Sequence, residues 1–168
     1  MLFDTALICR DGHILTSCLS EDSHFLEVSY CLKCRSKTIS SCPHCGKKIL
    51  GCEGVEVECA RSVETYYDKT MFKLPSYCYH CAIPYPWTDA ALKEVDAIIE
   101  LADELDEVDK AILKESFPNI LIEGAHTVSS SLKIAKILKP LANTTGQALK
   151  SAIASKVAAK ALELLGWH

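Results

Sequence analysis

The feature that most constrains this chain is a stretch that holds two Cys-x-x-Cys pairs. Cys31 and Cys34 form the first pair, and Cys42 and Cys45 form the second, with only residues 35–41 between them. The two thiolates of such a turn converge on one point, and a tetrahedral zinc site needs a second pair of ligands to be complete. The chain offers one further pair on each side of the stretch. The eight candidate ligands are Cys9, His13, Cys31, Cys34, Cys42, Cys45, Cys78 and Cys81.

These ligands are enough for two complete sites and predict two structural Zn²⁺ ions. Taken in sequence order, the first site uses the ligands at 9, 13, 31 and 34, and the second uses those at 42, 45, 78 and 81. A cross-brace, in which the pair at 9 and 13 joins the pair at 42 and 45, is the alternative, and His24 could replace His13. A site with four protein ligands has no open position for water. The spacing therefore predicts a protein that is not an enzyme.

The other cysteines and the start of the chain bear on the compartment. The chain has ten cysteines. Its first residues show neither a basic leader nor a small-residue cleavage site, which favours metal ligands over disulfides and predicts a cytoplasmic protein. Cys18, Cys52 and Cys59 fall outside the two ligand sets, and we interpret them as small buried apolar residues in preference to a third metal site. No apolar run reaches the roughly 18 residues of a membrane span.

The first half of the chain reads as a double zinc ribbon, with a domain at residues 1–87. Short strands are predicted to deliver the ligand turns, which we call knuckles. Gly46 follows the second knuckle pair and provides the positive φ that lets backbone amides point at sulfur. The predicted strands cover residues 3–9, 25–30, 54–59, 63–67 and 71–77.

The second half, residues 88–168, is predicted to be a helical domain of about three helices, which makes the fold class α+β. Thr88 and Asp89 offer an N-cap for a long acidic helix from Ala90 to about Ser116. Its predicted apolar stripe is Leu92, Val95, Ile99, Ala102, Leu105, Val108 and Ile112. A second helix spans about 129–138, with Leu132, Ala135 and Leu138 inside. A third spans 147–165, and its apolar stripe is Leu149, Ile153, Val157, Ala161 and Leu164. The segment 85–87 (Tyr-Pro-Trp) is interpreted as the hinge that packs the second ribbon on the helices.

Charge is divided sharply along the chain, although the formal net charge is only −4. Residues 33–48 carry five basic residues and no acid, residues 89–115 carry ten acids and three lysines, and residues 124–168 carry six lysines and one acid. This pattern favours a non-enzymatic binding or adaptor module whose helical tail mediates self-association or binds a protein partner. A nucleic-acid-binding ribbon protein and a membrane-active effector with cationic helices remain alternatives. No small-molecule substrate is indicated.

Four motifs together resemble a known family. They are Cys9-Arg-Asp-Gly-His13, Cys31-x-x-Cys34, Ser41-Cys-Pro-His-Cys-Gly46 and the segment 76–88 around Cys78 and Cys81. The chain is similar to the uncharacterised bacterial double zinc-ribbon proteins that end in a helical tail. The resemblance implies zinc at the eight positions given above and implies no known activity. Arg35 and Ala82 stand where members of that family usually have a knuckle glycine.

Overall fold

The computed structural model describes residues 2–19, 28–59, 62–67, 72–141 and 144–166. The chain divides into two compact units, residues 1–88 and 89–168. Small antiparallel sheets in the first unit are followed by helices, so the predicted α+β class is confirmed.

Two three-stranded antiparallel sheets build the first unit. One has the order β1-β5-β6, with β1 at Leu2–Thr5, β5 at Leu50–Cys59 and β6 at Ser62–Tyr67. The other has the order β3-β2-β4, with β2 at Leu7–Cys9, β3 at Ile14–Thr16 and β4 at Thr38–Ile39. The amide of Ala6, between β1 and β2, donates to the carbonyl of Ile49 at 2.9 Å, just before β5. The single strand predicted at 3–9 is therefore two strands, one in each sheet.

The remaining strand predictions have mixed outcomes. The segments 54–59 and 63–67 lie within β5 and β6. Residues 25–27 and Met71 lie outside the described part of the chain. Tyr30 makes only an isolated bridge, to Lys37, and Tyr77 makes only one to Pro84. The strand predicted at 71–77 is therefore wrong for residues 72–77, because a knuckle needs only one bridged pair at its base.

The first helix begins two residues before the predicted N-cap at Thr88. Helix α1 spans Pro86–Glu100, so Thr88 lies inside the first turn, and Pro86 takes the first helical position, which suits its fixed φ. Helix α2 is Glu107–Ser116, followed by a 3₁₀ helix at Phe117–Ile120. Helices α3, α4 and α5 are Thr127–Leu138, Thr144–Ala154 and Ala159–Leu165.

The predicted long acidic helix is divided in two. Asp106 adopts an extended conformation, with φ −75° and ψ 168°, and its side chain accepts a hydrogen bond from the amide of Asp109 at 2.7 Å. This is an N-cap, which ends one helix and starts the next. Val95, Ile99, Ala102 and Leu105 are buried as the stripe predicts, but Val108, beyond the break, is exposed.

The predicted last helix is also divided. Ala158 is extended, with φ −63° and ψ 148°, and its amide donates to the carbonyl of Ile120 at 3.0 Å. A continuous helix would use that amide internally, so the tertiary bond replaces a helical one. Leu149, Ile153 and Ala161 lie in the core of the second unit as predicted.

Helix α3 presents a different face from the predicted one. Leu138 is fully buried, but Leu132 is 57% exposed, while Ser130 and Ser131 face the core. The Ser131 hydroxyl is buried and finds no hydrogen-bond partner in the described residues. Ile134 and Ile137 provide the apolar contacts that fix this rotation of the helix.

Candidate metal centres

The three Cys-x-x-Cys knuckles share one backbone conformation. In each, the residue after the second cysteine donates its amide to the carbonyl of the first cysteine, at 2.8–2.9 Å. The amide of the first cysteine in turn donates to the carbonyl two residues after the second cysteine, at 2.8–2.9 Å. An isolated bridge closes each base, and these bridges are Tyr30 to Lys37, Ser41 to Lys48 and Tyr77 to Pro84. The three turns are therefore built alike.

Each knuckle requires a left-handed residue after its second cysteine. Gly46 has φ 72°, and the corresponding residues Arg35 and Ala82 have φ 61° and 56°. A side chain in this region costs roughly 1–2 kcal/mol. The knuckle geometry is therefore kept at both positions where the resembled family usually has glycine. Gly12, in the Cys9–His13 turn, has φ 86° and serves the same purpose there.

The first candidate centre combines the ligands at 9, 13, 31 and 34 within 4.8 Å of one another. His13 faces the sulfurs with Nδ1, which lies 3.5 Å from the Cys9 Sγ, 3.3 Å from the Cys34 Sγ and 3.8 Å from the Cys31 Sγ. The Cys9 and Cys34 sulfurs are 3.6 Å apart. Strand β2 positions Cys9 at its end, and the turn through Gly12 returns His13 beside it.

The second candidate centre combines the four cysteines at 42, 45, 78 and 81. The sulfurs of Cys42 and Cys81 are 3.8 Å apart, and those of Cys45 and Cys78 are 3.6 Å apart. In both centres the first cysteine of each knuckle is buried and the second is partly exposed. The structure thus groups the predicted ligands in sequence order and not as a cross-brace. His24 lies outside the described residues.

The spacing of these atoms fits a tetrahedral zinc ion. Zn–S bonds of about 2.3 Å and Zn–N bonds of about 2.0–2.1 Å give S···S edges of about 3.8 Å and S···N edges of about 3.6 Å. The S···S distances are 3.6–3.8 Å and the S···N distances are 3.3–3.8 Å. The donor set of thiolates and one imidazole suits the same metal. Both clusters can therefore hold a metal ion.

Backbone amides prepare the buried sulfurs for metal binding. Burial raises the pKa of the Cys31 thiol, but hydrogen bonds from the amides of Cys34 and Lys33 lower it, and the resulting pKa is about 7. Burial likewise raises the pKa of Cys78, while the amides of Cys81 and His80 bring it down to about 6. At neutral pH a thiol with a pKa of about 6 is mostly a thiolate and one with a pKa of about 7 is about half ionised, and the thiolate is the form that binds metal.

The partner sulfurs of these knuckles behave in the opposite way. The Ser36 amide lowers the pKa of Cys34, but burial and the neighbouring Asp11, Cys9 and Cys31 raise it to about 11. The Ile83 amide lowers the pKa of Cys81, but burial and the neighbouring cysteines raise it to about 12. The three thiols of the first centre and the four of the second lie too close together to ionise completely without a cation, so a metal ion would displace protons at both centres.

The residues around the centres were only partly predictable. Asp11 accepts a hydrogen bond from the Ser36 hydroxyl at 2.6 Å and so ties the first knuckle to the Cys9–His13 turn. Tyr85 and Trp87 are buried and stacked, with ring centroids 4.8 Å apart, and the Trp87 Nε1 donates to the Pro75 carbonyl at 2.8 Å. They belong to the core of the first unit, with Cys42 and Cys78, and their role as a hinge to the helices stays a prediction.

Two cysteines outside the ligand sets form a disulfide. Cys18 and Cys52 are bonded, with their Cα atoms 5.9 Å apart. The cause is local packing, because the Cys52 amide donates to the Ser17 carbonyl at 2.8 Å, and a Cβ on Gly51 would collide with that same oxygen. The interpretation of these two as simple buried apolar residues is therefore wrong. The side chain of Cys59 lies outside the description.

The basic residues of the knuckles lie on the surface. None of them forms an ion pair within the described residues. They are Arg10, Lys33, Arg35, Lys37, Lys47 and Lys48, and all are exposed. His44 and His80, inside the knuckles, are also exposed, as is His126 at the start of α3, and His168 lies outside the described residues.

Comparison with known proteins gives a family and no described relative. No helix in the described part of the chain has the length and apolar character to cross a membrane. Neither a protein with a curated description nor a solved structure matches the chain significantly. A model of uncharacterized proteins conserved in bacteria matches residues 2–163. Since that match covers nearly the whole chain, the protein belongs to this bacterial family, DUF2321.

Proposed function

We propose that this protein binds two Zn²⁺ ions and acts as a non-enzymatic binding module. The observation that carries the proposal is the pair of four-ligand clusters, whose S···S and S···N distances fit the edges of a tetrahedron around zinc. Three thiolates and an imidazole in one cluster, and four thiolates in the other, favour zinc over hard metals such as Mg²⁺ or Ca²⁺.

The metal would have a structural role. Four protein ligands complete the coordination shell at each centre, so neither ion would offer a position for water or substrate. Among the residues that the structure describes, one buried cluster lies in the first unit around the second centre. Its seven members include two ligands, and they are Ala6, Ile8, Cys42, Ile49, Cys78, Tyr85 and Trp87. Metal and apolar packing would therefore stabilise the same set of residues.

The adaptor role is supported by apolar side chains that the second unit leaves exposed. Leu101 is 74% exposed and Val108 66%, although each is large enough to stabilise a packed contact. Solvent-exposed apolar groups of this kind suit a partner surface or a second copy of the chain.

A cytoplasmic location belongs to the same proposal. Seven cysteines must stay reduced to bind metal, which a reducing compartment ensures. The Cys18–Cys52 disulfide would persist in an oxidising compartment, whereas in a reducing cytoplasm the same pair should be held as two thiols. Rapid alkylation of the protein in native cells, followed by intact-mass measurement, should find Cys18 and Cys52 alkylated; recovery of the disulfide there would overturn the cytoplasmic location.

Elemental analysis tests the metal proposal. Protein purified from native cells without added metal should contain two zinc per chain, and a chelator at neutral pH should remove the ordered signal of the first unit while leaving most helical dichroism. Protein that folds with much less than two metal ions per chain, or with iron in place of zinc, would refute it.

Nucleic-acid binding is the second candidate. The six exposed cations of the knuckles would suit phosphates, and Tyr30 and Tyr79, at 62% and 58% exposure, would suit bases. Binding of a labelled oligonucleotide that weakens steeply with salt, and that Lys47→Glu/Lys48→Glu removes, would favour this function. Absence of any shift at low salt would exclude it.

A further inference from the structure

A groove beside the first metal centre is the most informative surface outside the ligand clusters. It has a volume of about 250 Å³ and lies between the Cys9–His13 turn and the Cys31–Cys34 knuckle. Its walls are apolar and come from Ile14, Leu15, Val28 and Leu32, while His13 and Cys31 form the side next to the metal centre. We call this the knuckle groove.

Leu32 makes the knuckle groove unusual for a folded protein. It occupies an x position of the knuckle and is 96% exposed, and Ile14 on the opposite wall is 42% exposed. Folding gains nothing from a leucine held almost entirely in water, since an apolar side chain stabilises only when it is removed from solvent. The groove and Leu32 together form an apolar contact surface without a partner in the described residues.

The rim of the knuckle groove is basic. Lys33 lines it, and Arg35 follows in the same turn. Lys37 is bridged to Tyr30, and the amide of Arg10 donates to the Lys37 carbonyl at 3.0 Å, which brings these cations to the same knuckle. Among the described residues of these two turns the acid is Asp11, and its carboxylate accepts a hydrogen bond from the Ser36 hydroxyl. An occupant of this groove should therefore present an apolar side chain among negative charges.

The turn between α1 and α2 has that chemistry. We call residues 100–109 the acidic turn, and this segment contains six acids and no basic residue. Leu101 stands in it at 74% exposure and Val108 at 66%. Asp103 is exposed, Glu100 pairs with Lys114, and Asp106 caps α2, so the segment is held in a defined shape while its charge stays negative.

We propose that the knuckle groove of one chain binds the acidic turn of a second copy. An exposed leucine on each surface meets apolar side chains of the other, and the charges around the two leucines are opposite. Nucleic acid would match the cations but would leave Leu32 in water, because the described lining residues include no Phe, Tyr or Trp and the ring of His13 faces the metal ligands. Each chain carries both surfaces, so the contact joins unlike faces and can be repeated along a row of molecules or closed into a ring.

This proposal rests on the proposed function, because the knuckle keeps its shape only with its metal ligands in place. The metal content of every sample is therefore measured together with its mass. A metal-free wild-type chain would count against the proposed function, whereas a chain with two zinc that stays monomeric would overturn only the inference drawn here.

Three variants test the contact by analytical ultracentrifugation. The groove variant is Leu32→Glu/Lys33→Glu, and the turn variant is Leu101→Lys/Asp103→Lys. The matched control is Leu132→Glu/Lys133→Glu, which changes the same dipeptide on α3, where Leu132 is also exposed. The average mass of the wild-type protein should rise above the 18.5 kDa of one chain as its concentration increases. Concentrations up to about 200 µM are needed, because a small contact of this kind binds weakly.

Each of the first two variants should weaken self-association at least about tenfold, which is the effect of losing a central contact residue. The control should associate like wild type. An equimolar mixture of the two defective variants should form dimers and nothing larger, because only one intact surface of each kind remains per pair.

Other outcomes would overturn the proposal. They are a monomeric wild type with two zinc, dissociation by the α3 control, and a mixture that stays monomeric. An oligonucleotide that binds wild type at physiological salt and fails to bind the groove variant would also overturn it, and would assign the groove to nucleic acid.

Discussion

Replacement of one ligand in the second centre should unfold the first unit without unfolding the second. Cys45→Ser removes one of the four thiolates of this centre. In the wild-type protein the Cys45 Sγ lies 3.6 Å from the Cys78 Sγ. Structural zinc contributes about 10–16 kcal/mol in small zinc domains. The four large apolar members of the first core, Ile8, Ile49, Tyr85 and Trp87, contribute about 1.5–3 kcal/mol each, or about 6–12 kcal/mol together. The metal is therefore worth as much as that apolar cluster.

The comparison predicts two separable results. Zinc content should fall from two ions to one per chain, and the melting transition of the first unit should be lost or shifted strongly down. The transition of the second unit should persist, because its fourteen buried core residues are separate from the metal ligands. The assay is elemental analysis together with thermal melts followed by far-ultraviolet dichroism and by tryptophan fluorescence in a Trp167→Phe background, in which the signal comes from Trp87 in the first core.

The matched control is Cys18→Ser/Cys52→Ser, which removes two cysteines outside both ligand clusters. It should retain two zinc per chain. If Cys45→Ser also kept two zinc, or melted like wild type, the argument that metal replaces a hydrophobic core in this unit would be refuted.

Three further predictions follow from the structure. Acidification below about pH 6 should release zinc, because protons compete with metal for thiolates such as Cys78, whose metal-free pKa is about 6. A chromogenic zinc indicator should show progressively more free metal as the pH falls, and it should show no release of metal when the pH is raised. Ser131→Ala should raise the unfolding free energy of the second unit by about 1–2 kcal/mol in urea melts, because its buried hydroxyl has no hydrogen-bond partner in the part of the chain that the structure describes. Ser129→Ala, at an exposed site, should change that free energy by less than about 0.5 kcal/mol. Asp106→Ala should lower the same free energy by about 1 kcal/mol through loss of the α2 N-cap, and an equal effect from Asp103→Ala would contradict that reason.

The ligand groups could be predicted from sequence because a knuckle is a local structure. The spacing of Cys31 and Cys34 fixes the convergence of their thiolates within one turn. The ligand pairs could then combine in sequence order, which was the prediction, or as a cross-brace. The positive φ at Gly46 was equally local. The α+β class followed from the change from knuckles to helical periodicity.

The errors arose where distant parts of the chain decide the local structure. Periodicity alone could not show which of ten acids would cap a helix, and Asp106 did. Ala158 leaves the helical path for a hydrogen bond to Ile120, which is 38 positions earlier in the chain. Cys18 and Cys52 are separated by 34 residues, and nothing in their spacing indicated that Ser17 would bring them together.

The left-handed residues Arg35 and Ala82 have a consequence for how such a surface can diversify. Where only backbone preferences hold such a turn, glycine is strongly favoured at this left-handed position. Here two coordinating groups flank the turn, and the ion they share would impose the same path whatever side chain follows. Zinc coordination would therefore allow the residue after the second cysteine of each knuckle to vary. A cation, a methyl group or a hydrogen atom could then occupy this position without changing the backbone of the turn.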